Sequence, residues 1–443
     1  MKRVLPLLLL ATFSAGSAQA ADLLGVYRDA VGYDAQFSAA RAALKAGHEK
    51  MPQGRAGLLP TVGLSARTDW IDDDTSTRTT PVFEVSRQYN ASSWALSLTQ
   101  PLFRWQNWAS YKQSELAVAQ AETQYGLARQ DLIVRVAQAY FDVLLAQENL
   151  ATAQAQKTAI AEQLASAKRN FEVGTATITD THEAQARYDL TTAQEIAADN
   201  DLQVKHQVLR TIVGKDPDRL KNLRRGLQIS RPQPDDVLKW VESAEQHGLG
   251  VQLSQAALQI ANREIEKQRA GHYPTLDFVA ARGLNSQTSG LSGLAVIPGS
   301  DTNRTSFGLQ LAVPIFAGGA TSSRDREAVA LRDKALADLE YARRSATLSA
   351  RQAYLGVTSG LAQVKALEQA LVSSQSALDS NKLGYEVGVR INIDVLNAQQ
   401  QLFSTRRDLV KARLETLAAQ LKLKSAAGLL GEEDVVAVNS LLE

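Results

Sequence analysis

Gly57-Leu58-Leu59-Pro60-Thr61, early in the chain, returns as Gly271-His272-Tyr273-Pro274-Thr275. Phe171-Glu172-Val173-Gly174 returns as Tyr385-Glu386-Val387-Gly388, and Ile212-Val213-Gly214 has its counterpart at Ala426-Ala427-Gly428. Pro60 and Pro274, Gly174 and Gly388, and Gly214 and Gly428 all stand 214 positions apart. Pro101 and Phe103 return at Pro314 and Phe316, one position short, because the second copy has a shorter loop. This spacing lies far above the few tens of residues of a solenoid repeat. It marks a duplicated, domain-sized unit, so two similar halves sit in similar environments. That points to a symmetric architecture.

Residues 1–20 read as a secretory signal: Lys2 and Arg3, then the apolar run from Val4 to Thr12, then Ala18-Gln19-Ala20 as a cleavage site. The formal net charge is +1, and loss of Lys2 and Arg3 with the signal moves it just below zero. A near-neutral chain gives no argument for a nucleic-acid partner. With no cysteine, disulfides, thiolate nucleophiles, zinc–cysteine sites and an N-terminal lipid anchor are excluded. Beyond the signal, no apolar run reaches the roughly 18 residues of a transmembrane helix. Insertion into a membrane would therefore require a β-barrel.

Proline is absent between Pro101 and Pro217, and again after Pro314. It costs about 3 kcal/mol inside a helix, so these gaps permit very long helices. Ala, Leu, Gln, Arg and Glu fill them, all strong helix formers. One helix is expected from about Trp105 to Phe171, on the order of 100 Å long, and its counterpart from about Thr321 to Tyr385. Gly174 and Gly388 suit the left-handed position past a helix end, and Asp180 and Asp394 suit the start of the next helix. Val395, Leu402 and Leu409 lie seven apart, a spacing that suits side-by-side helix packing.

A second pattern precedes each long helix. Val62, Leu64, Ala66, Thr68 and Trp70 alternate with Gly63, Ser65, Arg67 and Asp69; Trp94, Leu96 and Leu98 alternate with Ala95, Ser97 and Thr99. Phe307, Leu309, Leu311 and Val313 do the same in the second half, while Thr275 to Gly283 is less regular. Period two predicts strands, one pair per half, about ten residues each, long enough to cross a bilayer when tilted. Polar loops are expected near Asp72 to Gln88 and Asn285 to Asn303. Trp70, Trp94, Trp105 and Trp108 would sit at the membrane interfaces. Four strands cannot close a barrel, and an open edge in lipid strands backbone groups at several kcal/mol each. Membrane-spanning strands would therefore have to be pooled: two chains give eight, three give twelve with a wider lumen.

On these residues the chain resembles the TolC family of outer-membrane efflux and secretion channels. The strand-to-helix segments Gln100-Pro101-Leu102-Phe103 and Val313-Pro314-Ile315-Phe316 and the run from Leu421 to Gly428 add to the resemblance. It implies a mainly α fold with a transmembrane β-barrel portion. Two tandem repeats per chain would supply four membrane strands to a barrel shared by a homotrimer, and coiled-coil-like helices to a periplasmic α-barrel. The implied division is a signal peptide at 1–20, a first repeat at 21–214 with strands at about 58–103 and a tip turn at 172–180, and a linker at 215–250. A second repeat follows at 238–428 with strands at 272–315 and a tip turn at 386–394, then a C-terminal segment at 429–443. The linker, with Pro217, Pro232 and Pro234, and the C-terminal segment would form an equatorial belt.

The resemblance also implies a passive exit duct for a tripartite pump or a type I secretion system, set in outer-membrane lipid. It would open at its periplasmic end when a periplasmic adaptor and an inner-membrane pump or ABC exporter dock. Val173, Gly174, Thr175, Val387, Gly388 and Val389 would form the adaptor-docking tips. At the gate, Tyr385 would bond within the chain, and Arg390 would bridge to a neighbour's Asp180, with Thr179 beside it. Asp394 would ring the constriction, and Asn397 replaces a second aspartate. Ala176 stands where Arg390 stands in the other half, so the second helix pair would be the gating pair. A periplasmic coiled-coil scaffold explains the helices and the signal but leaves the strands without a role. The five histidines are scattered and no phosphate loop or nucleophile motif occurs, so neither an enzyme nor a cofactor is expected.

Overall fold

The computed structural model describes residues 21–443 apart from 77, 79, 83, 216–218, 225 and 293–294. The signal segment and Pro217 thus lie outside the described residues. The chain divides into two compact units. One comprises residues up to Ala42, Tyr125–Gln252 and Ala342–Glu443; the other comprises Ala43–Gln124 and Leu253–Tyr341.

In chain order the elements are α1 (Leu23–Tyr33), α2 (Ala35–His48), α3 (Lys50–Ala56), β1 (Thr61–Ser76), β2 (Glu84–Phe103), α4 (Trp105–Glu172) and α5 (Ile178–Val213). Then come α6 (Val237–His247), α7 (Leu249–Arg269), β3 (Thr275–Gln287), β4 (Gly290–Ser292), β5 (Ala295–Ile297) and β6 (Ser300–Ala312). The chain finishes with α8 (Ala320–Glu386), α9 (Asn392–Ala426) and α10 (Glu432–Asn439). Helices α4 and α8 run 68 and 67 residues, as long proline-free stretches of helix formers allow.

The second unit holds the strands. β1, β2, β3 and β6 form one antiparallel sheet in the order β1-β2-β3-β6. Its outer strands, β1 and β6, have no further strand partner among the described residues. One face carries Val62, Leu64, Trp70, Leu96, Phe307 and Leu309, all exposed. Gly63, Ser65, Arg67, Ser97, Ser306 and Gln310 alternate onto the other. The strands exceed the expected ten residues, reaching 16 and 20 in the first pair. Asp72 pairs with Gln88 and Ser76 with Glu84 where a loop was expected. The ladder continues on polar side chains, such as Gln88 donating to Asp72 at 3.0 Å, so apolar periodicity stops before the strands do. On β3 the register puts Val279 and Ala281 on the polar face, so its alternation is less regular. Asp277 lies on its polar face, is buried, and accepts a fork from Arg104, with Nε at 2.8 Å. Trp70, Trp94, Trp105 and Trp108 are all exposed.

In the first unit, one core gathers α1, α2, the middle of α4, the end of α5, and α9 and α10. Leu23, Tyr27, Phe37, Ile133, Phe141 and Leu417 are among its buried members. Tyr140 is fully buried and donates its hydroxyl to the carbonyl of Lys221 at 2.8 Å. Asn222 and Glu443 exchange backbone bonds at 3.1 and 2.8 Å, so the segment after α5 is knitted to the C-terminus. Asp34 separates α1 from α2: its Oδ1 accepts from the Phe37 amide at 2.6 Å, and both oxygens accept from Arg135 at 3.1 Å. The Arg135 guanidinium holds the Asp34 carboxyl below the usual carboxylate range. Its contribution is therefore complete above the unfolded value of about 3.9 and is lost as pH falls through the lower folded value. Asp34→Asn should destabilise this unit by roughly 1–3 kcal/mol at neutral pH. In thermal melts the gap to the wild type should close as the pH is taken below about 4. A gap independent of pH would rule out the charge as its source.

Candidate functional site

The chemistry-bearing side chains singled out from the sequence meet where α4 turns into α5 and α8 into α9, all in the first unit. The two turns share one backbone design. After α4, the amides of Thr175 and Ala176 both donate to the Asn170 carbonyl, at 2.8 and 3.2 Å. After α8, those of Val389 and Arg390 both donate to the Gly384 carbonyl, at 2.9 and 3.0 Å. Gly174 and Gly388 sit at φ +76° and +79°, a region in which side chains with a Cβ are strained. Val173, Val387 and Val389 project at these tips and are largely exposed; Thr175 is exposed too, its hydroxyl donating to the Asn170 carbonyl at 3.1 Å.

The helix starts differ. Thr177 caps α5: its Oγ1 accepts from the Asp180 amide at 3.3 Å, and its own amide donates to Asp180 Oδ2 at 3.1 Å. Asp180 therefore closes a capping box. Thr179, beside it, is exposed. At α9 the cap position is Ile391, which has no side-chain bond to give. Asp394, in the first turn, instead lies 3.7 Å from Arg390 Nη1, and a carboxylate there also favours the positive helix end. Within the single chain, Arg390 thus faces Asp394. Tyr385 bonds inside the chain, its hydroxyl accepting from Asn170 Nδ2 at 3.2 Å. Asn397 Oδ1 accepts from Arg187 Nη2 at 2.9 Å, and Gln400 Oε1 accepts from Nη1 of the same guanidinium.

Sequence reasoning missed the most buried polar group of the region. Asn392, the first residue of α9, is 1% exposed. Its Oδ1 accepts from Gln163 of α4, and its Nδ2 donates to the Asp180 carbonyl of α5 at 3.4 Å. Ile160, Leu164, Ala167, Ala184 and Leu396 pack as an apolar cluster in the same stretch. One amide therefore ties three helices. A signal was present in the duplication. The counterparts of Asn392, Gln163, Asn170 and Arg187 in the other half are Ile178, Ala377, Gly384 and Gln401, so each linking residue is unique to one copy. Among the described residues no cluster suited to a metal ion occurs. The site is a set of interhelical polar links over an apolar packing layer, suited to holding or releasing a helix arrangement.

The profile of the family described as Outer membrane efflux protein matches residues 26–215 and again 240–429, one match per copy of the duplication. The chain is 32% identical to the outer membrane protein TolC of Vibrio cholerae, over all of this chain and 99% of that one. It is 32% identical to the proteases secretion protein PrtF of Dickeya chrysanthemi, over 96% of this chain and 92% of its relative. Its fold is similar to the crystal structure of the Campylobacter jejuni CmeC outer membrane channel, with TM-score 0.79 and 16% identity, covering 96% of this chain and 90% of that one. The chain belongs to the outer membrane efflux protein family and is an outer-membrane channel protein.

Proposed function

We propose that three copies of this chain form one channel-tunnel, a passive exit duct for efflux or type I secretion that is gated at its periplasmic helix tips. The observation that carries this reading is the sheet: four antiparallel strands, an apolar face, and two outer strands still open to pairing. Lipid does not tolerate such an edge, and β1 of one chain can accept β6 of the next. Three chains give twelve strands and a lumen lined by the Gly, Ser, Arg and Gln face. The helices support the same reading. Leu331, Leu336, Tyr341, Leu348, Leu355 and Val372 leave α8 with apolar residues exposed along its length, more than a lone chain in water accommodates. Neighbouring protomers would cover them.

The exposed valines at the two turns form the docking surface for a periplasmic adaptor, which works with an inner-membrane pump or ABC exporter. The polar links just behind them form the lock. Asn392 and Gln163, Asn170 and Tyr385, and Arg187 with Asn397 and Gln400 hold the two helix pairs of one protomer together. Arg390 is placed to exchange its 3.7 Å contact with Asp394 for a neighbour's Asp180. A ring of three Asp394 carboxylates favours cations, and Asn397 leaves that ring single.

Extraction from outer membranes should give a heat-modifiable trimer that conducts in planar bilayers; a water-soluble periplasmic monomer would exclude the channel. Within it, Arg390→Ala, Asp180→Ala and Asn392→Ala should each raise conductance. Losing one net hydrogen bond shifts the closed-to-open balance by up to about tenfold. Thr177→Ala removes only the cap of α5, so matching conductance in Thr177→Ala and Asp180→Ala would reduce Asp180 to a cap. Asp394→Asn should weaken cation preference, read as a shifted reversal potential in a salt gradient. An unaltered potential would remove the ring.

A further inference from the structure

Each outer strand of the sheet carries, on its polar face, one charge that no ion pair engages among the described residues. On β6 it is Arg304. It pairs by register with Gly283, Gly283 with Ala95, and Ala95 with Ser65. Partners in register share a face, so the exposed Arg304 stands on the side of Ser65 and Arg67. Its nearest same-face residues on β3 beyond Gly283, Ala281 and Asn285, are uncharged. On β1 the unpaired charge is Asp73, which accepts from the Thr75 hydroxyl at 3.4 Å. Its register partner, Arg87, is turned elsewhere: that guanidinium donates to the Thr288 carbonyl at 3.1 Å and lies 4.2 Å from the centre of the Tyr89 ring. The other charges on this face of β1, Arg67 and Asp69, hold each other at 2.6 Å. On the apolar face, the charged residues of the same two strands are all acids: Asp72 and Asp74 on β1, Asp301 on β6. Any charge attraction between the two edges therefore has to come from the polar face.

The apolar face shows how far two such edges slide past each other in a shared wall. Its last large apolar residues toward the hairpins are Trp70 on β1, Trp94 on β2, Leu284 on β3 and Phe307 on β6. Trp94 pairs with both Ala66 and Leu284, while Phe307 leads through Ala280 and Leu98 to the row of Val62, eight positions before Trp70. The limit of the band thus crosses the sheet on a slant. In a bilayer that limit is level and the strands are tilted. A neighbour's β1, on which the band again reaches Trp70, therefore has to stand with its Trp70 near Phe307 and not at the row of Val62. Strand geometry gives a second measure. At a tilt of about 45° and a spacing of about 4.8 Å, each strand is displaced by roughly 1.5 residues, so four strands accumulate about six. Both measures slide the row of Arg304 from Ser65 to about six to eight positions further along the neighbour's β1, at Ile71 or Asp73. Asp73 is then the acid directly or diagonally across from Arg304, either of which a long side chain spans.

We propose that Arg304 on β6 of one chain pairs with Asp73 on β1 of the next, once per seam of the barrel, and that this pair sets the register in which the two edges join. The partner is a second copy of this chain, and neither copy holds both halves of the contact at one edge. Backbone bonds alone do not choose among slides that keep each face on its own side. The side chains do. In the unslid register Arg304 would face Ser65 with Arg67 on the diagonal, and like charges there repel. In the slid register a guanidinium meets a carboxylate that nothing else pairs, with the directional fork that arginine provides. This rests on the channel reading, and the test separates the two.

The full-length chain would be expressed and its outer-membrane trimer followed on denaturing gels as temperature is raised. Arg304→Asp and Asp73→Arg should each lower the trimer-to-monomer ratio roughly tenfold at the wild-type midpoint, and the two together should restore it. Restoration by the swap is not expected of residues that merely support the fold. If the reversed charges prevent insertion, Arg304→Gln and Asp73→Asn carry the same comparison, each alone costing as much as both together. The chain has no cysteine, so introduced thiols report the register directly. Arg304→Cys combined with Asp73→Cys or with Ile71→Cys should give disulfide-linked dimers and trimers on non-reducing gels. Arg304→Cys combined with Ser65→Cys should stay monomeric there. Linkage through position 65, or equal trimer stability in the wild type, both single variants and the double variant, would overturn the proposal. A wild type that forms no trimer would remove the channel reading itself; a stable wild-type trimer indifferent to both charges would remove the seam pair alone.

Discussion

Everything in this molecule depends on where the outward backbone groups of β1 and β6 find partners. An edge strand presents an unpaired amide or carbonyl row along its free side. In hydrocarbon each such group costs several kcal/mol, and a typical domain has only about 5–15 kcal/mol of stability in total. No arrangement of side chains offsets a deficit of that size. The ladder has to be completed by another backbone, and in the proposed channel the edges of identical chains complete it. In that proposed channel, oligomerisation is then part of the fold, and the sheet seen in one chain is a segment of a closed wall.

Duplication and divergence divide the remaining work. The two halves repeat the backbone solution at each helix turn down to the same carbonyl accepting two amides. They differ in the side chains laid over it. One helix start is closed by Thr177 and Asp180, the other is left open at Ile391 with Asp394 and Arg390 nearby. The buried amide of Asn392 joins the uncapped start to its neighbours. Such a group stabilises one helix arrangement strongly and is expensive to leave unpaired, which suits the proposed gate, an element with two discrete states.

The fold class was legible because its determinants are local. Proline-free runs of helix formers mark α4 and α8, and period-two alternation marks the parts of the strands that carry the apolar face. The distal parts of β1 and β2 read as loop because Asp72, Asp73 and Gln88 carry no apolar signal, although they pair in the ladder. The alternation of β3 is irregular because Val279 and Ala281 stand on the polar face, while the ion pair between Asp277 and Arg104, far apart in sequence, becomes visible only in the fold. At the helix tips, only family likeness singles out Tyr385, Arg390 and Asp394 as candidates. Asn392 escaped because a single asparagine at a helix start is unremarkable until its burial is known. Comparison of the two halves, where isoleucine stands in its place, would have flagged it.

Hydrogen–deuterium exchange of the membrane-embedded protein tests the shared wall most directly. The account predicts that amides along Thr61–Ser76 and Ser300–Ala312 are protected within the bilayer as strongly as those of the inner strands β2 and β3. Rapid exchange along those two outer strands, with the inner pair protected, would contradict it.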